Sequence, residues 1–144
     1  VGVATIIDDD SASGTALSIG DVSVVEGAAG KRVLKAVVSL NEPLAEDIAF
    51  NFGIASTTAT CAVFYGATPP AGADCKGQRK FLRVKMRAGT TSKPVSMTIY
   101  PDSTLEFDET LRLSLGDAGP TNESSPTVVG YLRANGTATL VDDD

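Results

Sequence analysis

The sequence contains no histidine and no tryptophan, and aromatic residues make up only 6% of its 144 residues. The chain therefore lacks the residue that most often acts as a general base. No serine or cysteine stands in a recognisable nucleophile motif, and no run of aromatic residues suits a sugar cleft. Paired carboxylates such as Glu106 and Glu109 can in principle hydrolyse glycosides, but we expect that the protein is not an enzyme.

Positive charge is also scarce, since 12 basic residues are outnumbered by 18 acidic ones and the formal net charge is -6. Nucleic-acid partners need a basic surface, so a cationic partner fits better. No segment approaches the roughly 20 uninterrupted apolar residues that cross a bilayer, and the chain begins at Val1 without methionine or an apolar leader. We expect one soluble domain, cut from a longer protein, that does not insert into membranes.

Cysteine occurs twice, at Cys61 and Cys75, which enclose a loop rich in alanine, glycine and proline. An even count in such a loop favours a disulfide over a metal or redox pair. A disulfide in turn favours a secreted or cell-surface location. Two reduced, buried thiols are the alternative.

Apolar residues alternate with polar ones along most of the chain, and no window has helical spacing with caps at both ends. The pattern predicts an all-β fold, an immunoglobulin-like β-sandwich of about seven antiparallel strands. The antibody pattern of cysteine, tryptophan and cysteine is absent, so this prediction depends on strand count and period. The predicted strands lie within residues 16–27, 31–40, 47–56, 80–89, 94–102, 109–117 and 128–144.

Acidic residues cluster where these strands end. Because the loops of a sandwich gather at its two ends, several carboxylates could meet at one pole and would repel one another unless a cation neutralised them. A ligand set of oxygens without histidine favours a hard cation, and flexible coordination favours Ca²⁺ over Mg²⁺. Solvated turns are the alternative, and no EF-hand loop is present. The acids are Glu26, Asp74, Asp102, Glu106, Glu109, Asp142, Asp143 and Asp144.

Four separated motifs stand out along the chain. The longest is AGTTSKPVSMTIYPDSTLEFDETLRLSL (88–115), and three shorter ones are SVVEG (23–27), GADC (72–75) and GTATLVDDD (136–144). With these motifs, residues 15–144 resemble the Calx-beta domain family, found in sodium-calcium exchangers, integrin β4 and extracellular tandem-repeat proteins. The longest motif is the most specific, because it is similar to the family's turn, strand, acidic loop and E-x-D-E-T-[FL] motif, and the three shorter matches occur in the family's order.

The resemblance implies a seven-stranded sandwich that binds calcium ions at one pole. It implies ligands at the acids named above, with the backbone carbonyl of Thr104 as a further oxygen. Two positions depart from the calcium-binding pattern, because Pro101 and Ser103 stand where many binders have an acid. Fewer charges predict fewer or weaker ions. Asp108 is left out of the ligand set, since strand alternation should turn it away.

The string VATIIDDD (3–10) nearly repeats the final GTATLVDDD. We therefore predict that residues 1–14 are the end of a preceding repeat plus a linker, and that residues 15–144 are the Calx-beta domain. The alternative is that the first segment adds an edge strand to this domain or pairs with a crystal neighbour.

The predicted function is that of a calcium-binding extracellular module in a tandem-repeat surface or adhesion protein, where the ion stiffens the junction with neighbouring repeat domains. The alternative is a metal-independent spacer or a module that binds another surface protein.

Overall fold

The computed structural model describes Gly2 and residues 14–144 of the chain. The predicted end of a preceding repeat therefore lies largely outside the described residues. The described part contains no α-helix, and hence no helix with the length and apolar character needed to cross a membrane. Its strands are β1 (Ala16–Ile19), β2 (Val22–Val25), β3 (Arg32–Leu40), β4 (Ile48–Ser56), β5 (Cys61–Ala62), β6 (Cys75–Lys76), β7 (Leu82–Met86), β8 (Ser92–Ile99), β9 (Glu109–Pro120), β10 (Gly130–Arg133) and β11 (Asn135–Val141).

These strands form two sheets, with the order β10-β1-β3-β8-β6-β5 in one and β2-β11-β9-β4-β7 in the other. The all-β sandwich predicted from the sequence is confirmed. Two predicted strands, 16–27 and 128–144, each divide between the sheets, as β1 with β2 and β10 with β11. The first and last segments of the domain therefore run side by side, and β1–β10 and β2–β11 are parallel pairs rather than antiparallel ones.

The core lies between the sheets and is built by the alternation seen in the sequence. In β3 the side chains of Leu34, Ala36, Val38 and Leu40 are buried, and those between them are exposed. Burial of these apolar side chains drives the two sheets together.

Both ends of the sandwich are defined by its loops. The connections β3–β4, β7–β8 and β9–β10 lie at one end, which we call the distal pole, and the described domain begins there, because Leu17 pairs with Leu40 at the end of β3. At the other end β2, β8 and β11 finish and β6 and β9 begin. We call this end the acidic pole, because all the acids predicted as ligands lie in or beside it.

Candidate metal centre

Asp74 is the one charged side chain that is buried among the described residues, with 7% of its surface exposed. Its backbone N–H donates to the carbonyl of Thr60 at 2.9 Å, and the Thr60 N–H donates to Asp74 Oδ2 at 2.5 Å. The next residue, Cys75, is disulfide-bonded to Cys61, with Cα atoms 4.4 Å apart. Hydrogen bonds and a covalent link thus hold Asp74 at the acidic pole, although its loop was the least regular part of the sequence.

Glu106 and Glu109 approach Asp74 from the segment that joins β8 to β9. Glu109 is the first residue of β9, and Glu106 lies in the exposed loop before it. Each of the three residues offers a carboxylate oxygen, and these oxygens lie within 4.8 Å of one another. Calcium binds oxygen at about 2.3–2.6 Å, so two ligands of one ion can lie up to roughly 5 Å apart. The three carboxylates therefore fit a shared calcium ion.

Glu26 belongs to the same electrostatic neighbourhood. It follows β2, and its N–H donates to the carbonyl of Val141 at 2.9 Å, which extends the pairing of β2 with β11. Burial raises the pKa of Glu26 to about 7, and the charge of Asp74, followed by those of Glu106, Asp102 and Asp142, adds to the shift. Ionised Glu26 is thus disfavoured by its burial and by the acids around it.

The pKa of Glu109 is also raised to about 7, first by burial and then by the hydrogen bond to Asp74 and the charge of Asp74. Two carboxyl groups can share a hydrogen bond only when one of them holds a proton. The pKa of Glu106 is raised as well, by burial first and then by the charge of Asp102. A divalent cation could stabilise the ionised forms of these groups, which their surroundings disfavour.

The aspartates at the end of the chain take two different roles. Asp142 Oδ2 accepts the Glu106 N–H at 3.1 Å. Asp142 is therefore in contact with the loop between β8 and β9 (100–108), which we call the acidic loop. Asp143 Oδ1 accepts the Gly27 N–H at 2.7 Å, and Gly27 has a φ of +77°, a left-handed conformation that favours glycine. Asp144 is exposed beyond both. The structure thus joins the end of β11 to the loop after β2.

Asp102 and Thr104 lie in the exposed loop without entering the three-residue group. Thr104 donates its N–H to Asp102 Oδ1 at 2.7 Å, a local turn that orders the start of the loop. Pro101, which replaces an acid of the calcium-binding pattern, is buried. A packed proline ring therefore occupies a position where the resemblance would place an acid in many calcium binders.

Asp108 was excluded on the argument of strand alternation, and that argument does not apply, because β9 begins only at Glu109. Asp108 Oδ1 accepts the Asp142 N–H at 3.2 Å and so connects the acidic loop to the end of β11. Thr60 was also missed, since its contribution comes from the backbone. The only sequence signal for Thr60 is its position next to Cys61.

No protein-family model and no curated protein matches this chain. Among solved structures, the fold is similar to the apo-form Calx CBD1 domain, with a TM-score of 0.66 and 16% identity over 92% of this chain and 100% of that one. The Calx CBD2 domain has a TM-score of 0.67 and 10% identity over 87% of this chain and 85% of that one.

A further match is CBD12 from CALX1.2, with a TM-score of 0.66 and 16% identity over 90% of this chain. This chain spans 44% of that longer structure. At such low identities the likeness concerns the fold alone. The fold is therefore a Calx-beta-like sandwich, and it carries an acidic group at one pole that could hold a metal ion.

Proposed function

We propose that this chain is a Calx-beta domain that binds calcium at its acidic pole. The observation that carries the proposal is the convergence of Asp74, Glu106 and Glu109, whose carboxylate oxygens lie within 4.8 Å of one another. The raised pKa values of Glu109 and Glu26 support it, because they mark a site that is short of positive charge.

The choice of calcium follows from the chemistry of the donors. The site offers carboxylate oxygens and no histidine, and both cysteines are joined to each other. Hard oxygen ligands suit calcium and magnesium better than zinc or copper. Calcium tolerates the irregular geometry of ligands from several loops, whereas Mg²⁺ demands a near-ideal octahedron. One structural match is described as the calcium binding domain CBD12 of CALX1.1, which supports the same choice.

The module is extracellular in this proposal and belongs to a tandem array. The Cys61–Cys75 disulfide supports an oxidising compartment. The described domain begins at the distal pole and ends at the acidic pole, so in a tandem array the acidic pole of one repeat would face the next. An ion there would neutralise the carboxylates and stiffen the junction, which is a binding and mechanical role rather than catalysis.

A metal-independent interaction module is the second candidate, and a specific observation favours it. Leu105 and Phe107, which flank Glu106, are 76% and 91% exposed. Exposed apolar side chains at a loop tip are typical of partner contacts. In this alternative the acids keep the pole soluble, and Pro101 and Ser103 mark the loss of a calcium site.

Thermal unfolding with chelator, calcium or magnesium separates the two candidates. A ligand that binds only the native state stabilises it by about 2.7 kcal/mol at a concentration 100 times its Kd. For a domain of this size we expect calcium to raise Tm by roughly 5–10 °C, and magnesium to raise it much less. Equal Tm values in chelator and in millimolar calcium would contradict calcium binding and leave the interaction module.

A matched pair of variants tests the assignment of ligands. The double substitution Glu106→Gln with Glu109→Gln should abolish most of the calcium-dependent rise in Tm. Glu123→Gln is the control, because Glu123 is an exposed acid in the β9–β10 connection at the distal pole. A calcium response that survived the double substitution would place the ion elsewhere.

A further inference from the structure

We propose that a cationic cleft on the five-stranded sheet binds an acidic peptide segment of a partner protein. The cleft has a volume of about 320 Å³ and lies beside the start of β7. Its lining includes Gln78, Arg79, Lys80, Phe81, Arg112 and Ser114. Its volume is at the lower end of the range of ligand pockets, about 300–1,000 Å³.

One wall of the cleft is an aromatic ring that packs closely against a glycine of the neighbouring strand. Phe81 lies directly on Gly53 of β4, where a Cβ would come within 2.5 Å of Phe81 Cε1. Even so, 63% of the Phe81 side chain is exposed. The ring therefore forms an apolar wall that is held against the sheet and open to a ligand.

The segment before β7 is fixed in place by two further contacts. Gln78 Oε1 accepts the Ile54 N–H at 3.1 Å, beyond Phe52, the last residue of β4 that pairs with β7. The Arg79 guanidinium lies over the ring of Tyr65, 4.5 Å from its centroid. Contacts of this kind position a cation without neutralising it. These contacts thus order Gln78 and Arg79 at the cleft.

Among the described residues of this acidic protein, the cleft gathers unpaired positive charge. Arg79, Lys80 and Arg112 line it and no aspartate or glutamate does, although acids outnumber bases by 18 to 12 in the chain. Within the described residues none of the three forms an ion pair, whereas the ion pairs found there are Arg83–Asp117, Lys85–Asp47 and Arg133–Asp21. Guanidinium groups bind carboxylates in a two-pronged geometry, so the complementary ligand group is a carboxylate.

A peptide suits the surroundings of the cleft better than a long polyanion. The acidic pole and the net charge of -6 repel an extended phosphate or sulfate chain, which is charged at every unit, more strongly than a short peptide that carries a few carboxylates. Next to the cleft, β7 is the last strand of its sheet, and no described strand pairs with its outer edge. An extended peptide can add to such an edge through its backbone while it places a side chain in a neighbouring pocket. The occupant is therefore a short extended segment with alternating acidic and apolar residues.

Amide chemical shifts of the isotope-labelled protein test the proposal, with a capped six-residue peptide that alternates aspartate and leucine. The titration uses metal-free buffer, so its result is independent of calcium at the acidic pole. We expect saturable shifts at Gly53, Ala55, Phe81 and the amides of β7. The same peptide with asparagine in place of aspartate should bind at least about tenfold more weakly.

Paired variants assign the binding to the cleft. Arg79→Ala combined with Arg112→Ala should weaken binding of the acidic peptide at least about tenfold, whereas Lys35→Ala, an exposed cation on β3 of the other sheet, should change it less than about twofold. Circular dichroism establishes that the variants are folded. Shifts spread over all exposed cations, equal binding of the neutral peptide, or binding of a sulfated disaccharide but not of the peptide would overturn the proposal.

Discussion

Both poles of the sandwich carry aspartate and glutamate side chains, but the pKa values of several of these side chains are shifted in opposite directions at the two poles. At the distal pole Glu46 accepts hydrogen bonds from the hydroxyls of Thr127 and Ser125, the latter at 2.7 Å, and these bonds lower the pKa of Glu46. Asp47 accepts the Ala88 N–H at 2.9 Å and pairs with Lys85 at 3.0 Å, and these contacts lower the pKa of Asp47.

At the acidic pole the carboxylates have the opposite pKa shifts. Burial and neighbouring carboxylates raise the pKa values of Glu26, Glu106 and Glu109. The distal pole therefore stabilises ionised carboxylates with its own donors, whereas the acidic pole lacks sufficient positive charge for its own. Composition cannot reveal this difference, since it depends on which donors the fold brings to each carboxylate.

A large effect is expected from the disulfide, which lies beside the acidic pole. Replacing Cys61 and Cys75 with serine opens a loop whose ends are 14 residues apart, and the loss of such a link costs about 3 kcal/mol by chain entropy. Because Cys75 follows Asp74, we also expect calcium affinity to fall. Urea unfolding and calcium titration of the double variant measure both effects.

The distal pole supplies the control for the disulfide. The pKa of Asp47, followed by NMR titration, should be the same in the double serine variant as in the parent chain. Unchanged calcium affinity in a folded variant would mean that the Thr60 hydrogen bonds alone position Asp74.

Neutralising one carboxylate at each pole should change stability in opposite directions. Without calcium, Glu109→Gln should raise Tm, because it removes a charge that burial and Asp74 disfavour. Asp47→Asn should lower Tm, since the carboxylate accepts the Ala88 N–H and pairs with Lys85. Calcium should raise Tm fully in Asp47→Asn and far less in Glu109→Gln. A decrease in Tm for both variants without calcium would contradict the claim that the ionised carboxylate is disfavoured at the acidic pole and stabilised at the distal pole.

Much of the fold follows from the sequence because period and turns are local properties. The alternation of β3 from Leu34 to Leu40 predicts its buried face directly. The division of 16–27 between two sheets does not follow, because Gly20 and Asp21 look like any break in a strand. Only pairing with distant partners, β3 for β1 and β11 for β2, shows that the chain changes sheets there.

For the site, position in the sequence indicated which acids reach one pole, but not how closely they meet. Glu106 and Glu109 come from one motif, whereas Asp74 depends on a loop with no regular pattern. Whether an ionised carboxylate is stabilised depends on side-chain hydrogen bonds between residues far apart in sequence, as between Glu46 and Thr127. Such contacts leave no spacing signal.

A further expected effect is a pH dependence that isolates the acidic pole. Glu26 and Glu109 have folded pKa values of about 7 against an ordinary 4.5. The native state thus holds more protons than the unfolded state between these values, and without calcium the free energy of unfolding should fall as pH rises from about 4.5 to about 7. Glu46 and Asp47, whose pKa values are lowered, lose their contribution only at lower pH.

Urea unfolding at pH values of about 5, 6 and 7 in chelator measures this slope. The variant Glu26→Gln with Glu109→Gln should unfold with a free energy that depends much less on pH across the window, because the two groups with the largest rise in pKa are gone. Saturating calcium should reverse the slope in the parent chain, since the ion binds the ionised carboxylates and competes with protons. A parent slope that stayed the same in the double variant would show that other groups titrate there, and the acidic pole would then resemble the distal one.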